Sequence, residues 1–291
     1  MYFSGETSPR IQGRAGRTGL GGVEYIGSVD YPWIVQSIPD TEIKSLLGRL
    51  TDEIRRSLNG SLVGLYLYGS LVTGDFEKES SDVDLLAVVN SDIEGETFDR
   101  LDRMHERFVD NHPEWEDRIE VAYLSAPALW KFKTESNSMA VVSPGEPFHM
   151  KPAGREWLMN WYTVRETGLT LCGPPPHTLI PEISKVEFVE AAREHAKYWQ
   201  EWVNDMRTPG SQAYAVLTMC RALYTSTHGE QVSKKRAAVW AKAHLPQWSA
   251  LIERSWSRRS DRRDENTEEE EFHETVRFVH DVAGRVSGEV Q

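Results

Sequence analysis

Apolar residues recur along this chain with two different periods, and the change from one to the other divides it. Ile43, Leu46, Leu47, Leu50 and Ile54 are spaced as one face of a helix. That spacing predicts an amphipathic helix over 38–58, ended by Asn59-Gly60. Leu62 to Tyr68 is a short β-prone apolar run and reads as a buried strand. Asp82 to Val89 reads as a second strand, 94–111 as a helix, and the alternating Arg118 to Leu124 as a third strand. Helices are expected near 126–133 and 154–168, then a short strand at 169–172. Cys172-Gly173-Pro174-Pro175-Pro176 and Pro181 break the pattern. Beyond them the period is helical: about 183–206, 211–228, 233–244 and 265–286.

The expected fold is therefore α/β followed by all-α. Residues 36–181 would form strands with flanking helices and 182–291 a helical bundle. Residues 1–35, rich in Gly, Ser and Arg and without a period, read as a disordered extension. The charge-dense stretch Asp261 to Glu274 reads as a solvated helix face or loop.

Composition narrows the function classes. The net charge of −12 repels nucleic acid and favours a cationic small molecule. Cys172 and Cys220 are the two cysteines, which excludes a disulfide scaffold and a cysteine zinc site. No apolar run approaches the roughly 20 residues that span a bilayer, and the first residues lack the apolar core of a secretory signal. A cytoplasmic protein without membrane partners is expected.

The chemistry concentrates around Gly69-Ser70 and Ser81-Asp82-Val83-Asp84. Gly69 stands between a strand and a helix. Lacking Cβ, it lets backbone N–H groups approach an anion, and the helix start adds partial positive charge. Ser70 can donate its hydroxyl to a phosphate, and Ser81 stands at the same corner. Asp82 and Asp84, two apart on a strand, project from one face. Two such carboxylates call for a cation, and Mg²⁺ is the fitting one, because it shares oxygen ligands with substrate phosphates. A Gly-Ser turn alone, or an Asp-x-Asp alone, is ordinary; strand, Gly-Ser, helix and Ser-Asp-x-Asp together are specific.

Glu120 interrupts the third strand and points away from Ile119 and Val121. It is either an exposed strand residue or a carboxylate placed to take a hydroxyl proton. Arg221 interrupts the apolar run Ala215 to Leu223, so it needs an anionic partner, internal or bound. Ser233 reads as an N-cap followed by Lys234, Lys235 and Arg236, three cations opposing a helix dipole. A docked anion would explain them.

Leu67-Tyr68-Gly69-Ser70 with Ser81-Asp82-Val83-Asp84-Leu85-Leu86 resembles the bacterial aminoglycoside adenylyltransferases acting on streptomycin and spectinomycin, within the polymerase-beta-like nucleotidyltransferase superfamily. Ala215 to Tyr224, Gly229, Val232-Ser233-Lys234, Ala237 to Trp240 and Leu245-Pro246 resemble that family's helical domain. The resemblance covers about residues 40–285. It implies a nucleotidyltransferase mixed sheet followed by an all-helical nucleotide- and substrate-binding domain. It also implies Mg²⁺, in one or two ions, and ATP as co-substrate. By it Gly69, Ser70, Ser81, Arg221 and Lys234 would hold the nucleotide, Asp82 and Asp84 the metal, and Glu120 would be the catalytic base and a further metal contact. The implied reaction moves AMP to a hydroxyl of an aminoglycoside-like molecule, an antibiotic-resistance activity, carried out by a monomer.

For the acceptor, Trp157, Trp202 and Asp205 are the leading candidates, with Trp161, Trp199, Glu156 and Glu201 behind them. Ordinary packing or solvation competes for each. The two acidic positions preceding the Val-Leu-Thr helix in streptomycin-modifying members fall on Arg207 and Ser211, and a basic residue there would repel a guanidinium drug. A protein or nucleotide acceptor, or a binding protein without turnover, are the alternatives.

Overall fold

The computed structural model describes residues 38, 40–79, 81–261 and 265–288; the extension expected at 1–35 lies outside them. The first helix, α1 (Thr41–Leu58), starts where Asp40 accepts from the backbone N–H groups of Glu42 and Ile43 at 2.8 and 3.1 Å. It ends at Asn59 in the left-handed conformation. Strands β1 (Leu62–Tyr68) and β2 (Val83–Val89) flank the one-turn helix α2 (Ser70–Thr73). Helix α3 (Gly95–Asn111) leads to β3 (Ile119–Ser125) and α4 (Ala126–Lys131). A hairpin of β4 (Asn137–Ser143) and β5 (Glu146–Ala153) follows, then α5 (Leu158–Thr167) and β6 (Leu169–Cys172).

The strands form one mixed sheet in the order β5-β4-β3-β2-β1-β6. Among the described residues only β2 and β3 pair in parallel, because α3 carries the chain across between them. Alternation sends Leu65, Leu67, Val83, Leu85, Ile119 and Val121 to one face, where the apolar stripes of α1 and α3 cover them. Tyr66, Tyr68, Leu86, Val88, Ala122 and Leu124 face the other side, under α5 and the start of the next helix. Each large side chain buried this way contributes about 1.5–3 kcal/mol.

The remainder is helical: α6 (Lys185–Trp202), α7 (Pro209–His228), α8 (Lys234–His244), α9 (Ser249–Arg258) and α10 (Glu269–Ser287). Helix α7 packs against α6, α8, α9 and α10. That central place explains its nearly unbroken apolar run. Helix α6 serves two cores: Phe188, Ala191 and Ala192 pack beneath the sheet, and Ala196 and Trp199 pack in the helical core.

The β4–β5 hairpin and α9 are absent from the expected elements. The region 154–168 is a 3₁₀ turn (Arg155–Trp157) followed by α5. The acidic run is not wholly solvated, since Glu271 pairs with Arg254 and Arg258, and Glu274 with Arg254. Among the described residues no helix is long and apolar enough to cross a membrane. Both cysteines are buried free thiols.

Candidate active site

Three residues line up across the middle of the sheet. In register, Tyr68 of β1 faces Asp84 of β2, and Asp84 faces Glu120 of β3. Paired residues on neighbouring strands point to one face, so the hydroxyl and two carboxylates form a row. Glu120 is 1% exposed. The Tyr68 hydroxyl donates to its Oε1 at 3.3 Å, while Oε2 has no hydrogen-bond partner. Asp82 precedes β2 by one residue and shares the parity of Asp84, so it extends the row to the sheet edge.

Gly69 makes the close approach possible. Its φ of 74° lies in the left-handed region, and a Cβ there would sit 1.9 Å from Oδ2 of Asp84. The helix that begins at Ser70 is only four residues long. The anion-binding contribution expected from a helix start is thus one of local N–H groups, with little macrodipole behind it. Ser81 is held by its neighbours: its Oγ accepts from the Glu77 N–H at 2.9 Å, and its own N–H donates to the Glu77 carbonyl at 2.8 Å.

Opposite this corner stand the cations of the helical part. A cleft of about 150 Å³, open to solvent, is lined by Gly69, Ser70, Ser81, Asp82 and Asp84 on one side and by Arg221, Lys234 and Lys235 on the other. Arg221 comes from α7. Lys234 opens α8 behind its cap Ser233, with its ammonium 5.3 Å from the Tyr214 ring centre. Arg236 is exposed.

The electrostatics show like charges crowded on each side of the cleft. Burial, reinforced by Asp82, raises Asp84 to about 6, against the pull of Lys234 and Arg221. Burial and then the neighbouring Asp84 and Asp82 raise Glu120 to about 8. Lys234 moves the other way, lowered by burial and by Arg221. Burial thus outweighs the attraction between the two sides at Asp84 and Lys234. A divalent cation on one side and an anion on the other would relieve both.

The residues fit Mg²⁺ in that sense. Among the described residues no three of His, Cys, Asp or Glu already surround one point, so Glu120 is not gathered with Asp82 and Asp84 into a ready cage. Mg²⁺ is commonly held by one or two carboxylates plus substrate phosphates and water. Asp82 and Asp84, with Glu120 Oε2 behind them, suit that mode.

The cleft also contains residues that periodicity did not single out. Trp256, Arg259 and Ser260 close its far end, and Thr73, Asp75, Glu77, Gln231 and Val232 complete its walls. Arg259 stacks over the Trp256 ring at 4.0 Å and pairs with Glu77 across the cleft. The aromatic-cation pair at the end of α9 was detectable in principle, but nothing in the sequence places it opposite Gly69.

The acceptor candidates are scattered. Trp157 is buried, stacked on Trp161 with ring centres 5.4 Å apart, and donates its indole N–H to the Pro152 carbonyl at 3.1 Å. It belongs to the packing beneath the sheet. Trp199 is fully buried in the helical core. Trp202 is half-buried against His195, Tyr198 and Trp199. Asp205, Glu156 and Glu201 are exposed, and Glu156 accepts from the Gly154 N–H. Arg207 lies over the Phe272 ring at 3.7 Å and pairs with Glu269. Ser211 forms a capping box with Thr208. The repulsive role expected of Arg207 thus meets a residue already engaged elsewhere.

Comparison with known proteins places this geometry. The Nucleotidyltransferase domain model matches residues 49–132, and the model for Aminoglycoside adenylyltransferase, C-terminal domain, matches 178–285. An Aminoglycoside (3'') (9) adenylyltransferase of Shigella flexneri is 26% identical over 232 residues, covering 70% of this chain and 80% of its own length. The enzyme of that name from Escherichia coli matches to the same extent. The crystal structure of spectinomycin adenyltransferase AAD(9) from Enterococcus faecialis with ATP and spectinomycin superimposes with a TM-score of 0.66 at 16% identity, covering 82% of this chain and 98% of that one. A nucleotidyltransferase domain and an aminoglycoside adenylyltransferase C-terminal domain thus match successive parts of this chain, and the spectinomycin adenyltransferase shares its fold.

Proposed function

We propose that this protein transfers AMP from Mg-ATP to a hydroxyl group of an aminoglycoside or a related cationic, hydroxylated antibiotic such as spectinomycin, releasing pyrophosphate. The observation that carries the reading is the cleft itself. Asp82 and Asp84 line it opposite Arg221 and Lys234, and Glu120 sits buried beside Asp84 on the next strand, behind that lining. That is the charge pattern a nucleoside triphosphate with its metal requires. The spectinomycin and aminoglycoside activities named for its relatives fit the same architecture.

In this reading residues 36–181 form the nucleotidyltransferase domain and 182–291 the domain that grips nucleotide and substrate. Arg221 and Lys234 hold the phosphates, and Ser70 and Ser81 donate to phosphate oxygens. Asp82 and Asp84 hold Mg²⁺, which, when bound, neutralises the triphosphate and makes the α-phosphate more electrophilic. Glu120 accepts the proton of the attacking hydroxyl at Oε2, while Tyr68 fixes Oε1. Trp202, at the helical margin, remains the better placed of the two acceptor tryptophans, and Asp205, exposed, is free to pair with an acceptor amine. ATP and two reduced cysteines suit the cytoplasm.

Pyrophosphate release measured with Mg-ATP and a panel of aminoglycosides and spectinomycin tests the proposal, with mass spectrometry of the product. An antibiotic heavier by one AMP is the expected result. Glu120→Gln and Asp84→Asn are expected to abolish release while the circular dichroism stays native. Full activity in either variant, or a labelled protein in place of a labelled antibiotic, overturns it.

A further inference from the structure

Arg118 is 7% exposed. A guanidinium removed from water needs its N–H groups answered. Its Nη2 donates to the carbonyls of Lys78 and Ser81 at 2.5 and 2.7 Å, and its Nε reaches the same Ser81 carbonyl at 3.3 Å. Nη1 reaches the Glu114 carbonyl at 3.4 Å, and the guanidinium carbon lies 4.4 Å from the Trp115 ring centre. The backbone of Arg118 completes the arrangement, because its carbonyl accepts from the Val83 N–H at 2.8 Å.

Asp82 therefore has both of its chain neighbours bound to one residue. The carbonyl of Ser81, before it, is held by the Arg118 side chain. The N–H of Val83, after it, is held by the Arg118 main chain. Two residues further along β3 comes Glu120. Stability alone does not call for an arginine here, since an apolar residue of similar volume often fills a buried site without the desolvation cost. A planar fork that reaches the Lys78, Ser81 and Glu114 carbonyls from three nitrogens at once does need arginine, because a lysine ammonium, a single point donor, lacks that spread.

We infer that Arg118 is a positioning residue for the metal-holding carboxylate Asp82, fixing its place on the loop entering β2 against Glu120 on β3. The inference rests on Asp82 as a Mg²⁺ ligand in the proposed function. Arg118 does not line the cleft. It sets the distance between the strands' functional ends, as outer partners of metal ligands do.

The test is the Mg²⁺ concentration that half-saturates ATP binding, read by calorimetry without acceptor, at a temperature well below unfolding. Wild type, Arg118→Lys and Arg118→Met are compared, with melting temperatures measured in parallel. Both variants are expected to need about tenfold more Mg²⁺, with Arg118→Lys folded and intermediate. Should Arg118→Met fail to fold, Arg118→Lys decides. A wild-type Mg²⁺ requirement in the folded variants, even with lowered melting temperatures, makes the role structural and overturns the inference alone. Absence of Mg²⁺-dependent ATP binding in the wild type overturns the nucleotidyl-transfer reading and this inference with it.

Discussion

A single hydrogen atom at position 69 separates a working corner from a collision. The added methyl of Gly69→Ala would lie 1.9 Å from Oδ2 of Asp84, on a backbone with φ of 74°. Ala in that conformation, with ψ of −147°, costs about 1–3 kcal/mol, and Asp84 must also turn aside. Displacement of a reacting group by about 1 Å lowers turnover about a hundredfold. Gly69→Ala is accordingly expected to lose activity on that order while melting only a few degrees lower, as pyrophosphate release and thermal unfolding will report. At this scale the sequence was informative where chemistry follows spacing: Asp82 and Asp84 at a strand period, Glu120 within an apolar alternation. Tyr68 was legible only as an apolar strand residue. Its hydroxyl became meaningful once the register set it beside Asp84, two paired strands from Glu120. Trp256 and Arg259 form a local aromatic-cation pair, but nothing local ties it to the cleft, because Glu77, the partner of Arg259, lies 182 residues away.

Elements were legible where one face alone is buried. Helix α1 has such a stripe, and its cap residues follow the expected chemistry. The β4–β5 hairpin was hidden by Pro147 and Pro152, which ordinarily argue against a strand. Strand β5 tolerates them because it is the sheet's outer edge, with no further strand to receive its N–H groups. Helix α9 was masked by its short length between Pro246 and the charged segment. Capping boxes mark the starts of α6 and α7. Ser184→Ala removes the first, exposing the Glu187 N–H and freeing a carboxylate that Lys133 and Ser184 now hold down at about 2. A loss of about 1 kcal/mol is expected in denaturant unfolding, with catalytic constants unchanged, since this end of α6 contributes nothing to the cleft lining. A change in KM for ATP would mean that the cap reaches the cleft.

At the scale of the molecule, the sheet's side and the helical side face each other across the cleft, and the Arg259–Glu77 ion pair spans it. Arg259 reaches from the end of α9 to Glu77 beside Ser81. Partly exposed, such a pair is worth about 0.5–1 kcal/mol. Arg259→Ala should therefore weaken ATP binding about two- to fivefold, and Arg259→Glu combined with Glu77→Arg should restore it. Failure of that exchange to restore binding would assign Arg259 to direct nucleotide contact.

Acid sensitivity is a second property of the whole. Burial holds His105 neutral, lowering it to about 3, with its Nε2 and the Tyr123 hydroxyl 2.8 Å apart. In the unfolded chain a histidine titrates near 6.5. Between these values the unfolded state binds a proton that the folded state refuses, so stability falls as pH falls, by up to about 1.4 kcal/mol per pH unit. In His105→Gln this contribution is absent, and the curve of stability against pH is expected to be flatter between about 6.5 and 4.

Helix α6 has Phe188 seated in one core and Trp199 in the other. It works as a beam built into two walls: neither wall can come down while the other holds it. Heat should consequently take the protein apart in one calorimetric transition. Phe188→Ala, a wound to the sheet's side, should lower the unfolding temperature reported by the tryptophans of the helical side by the same amount.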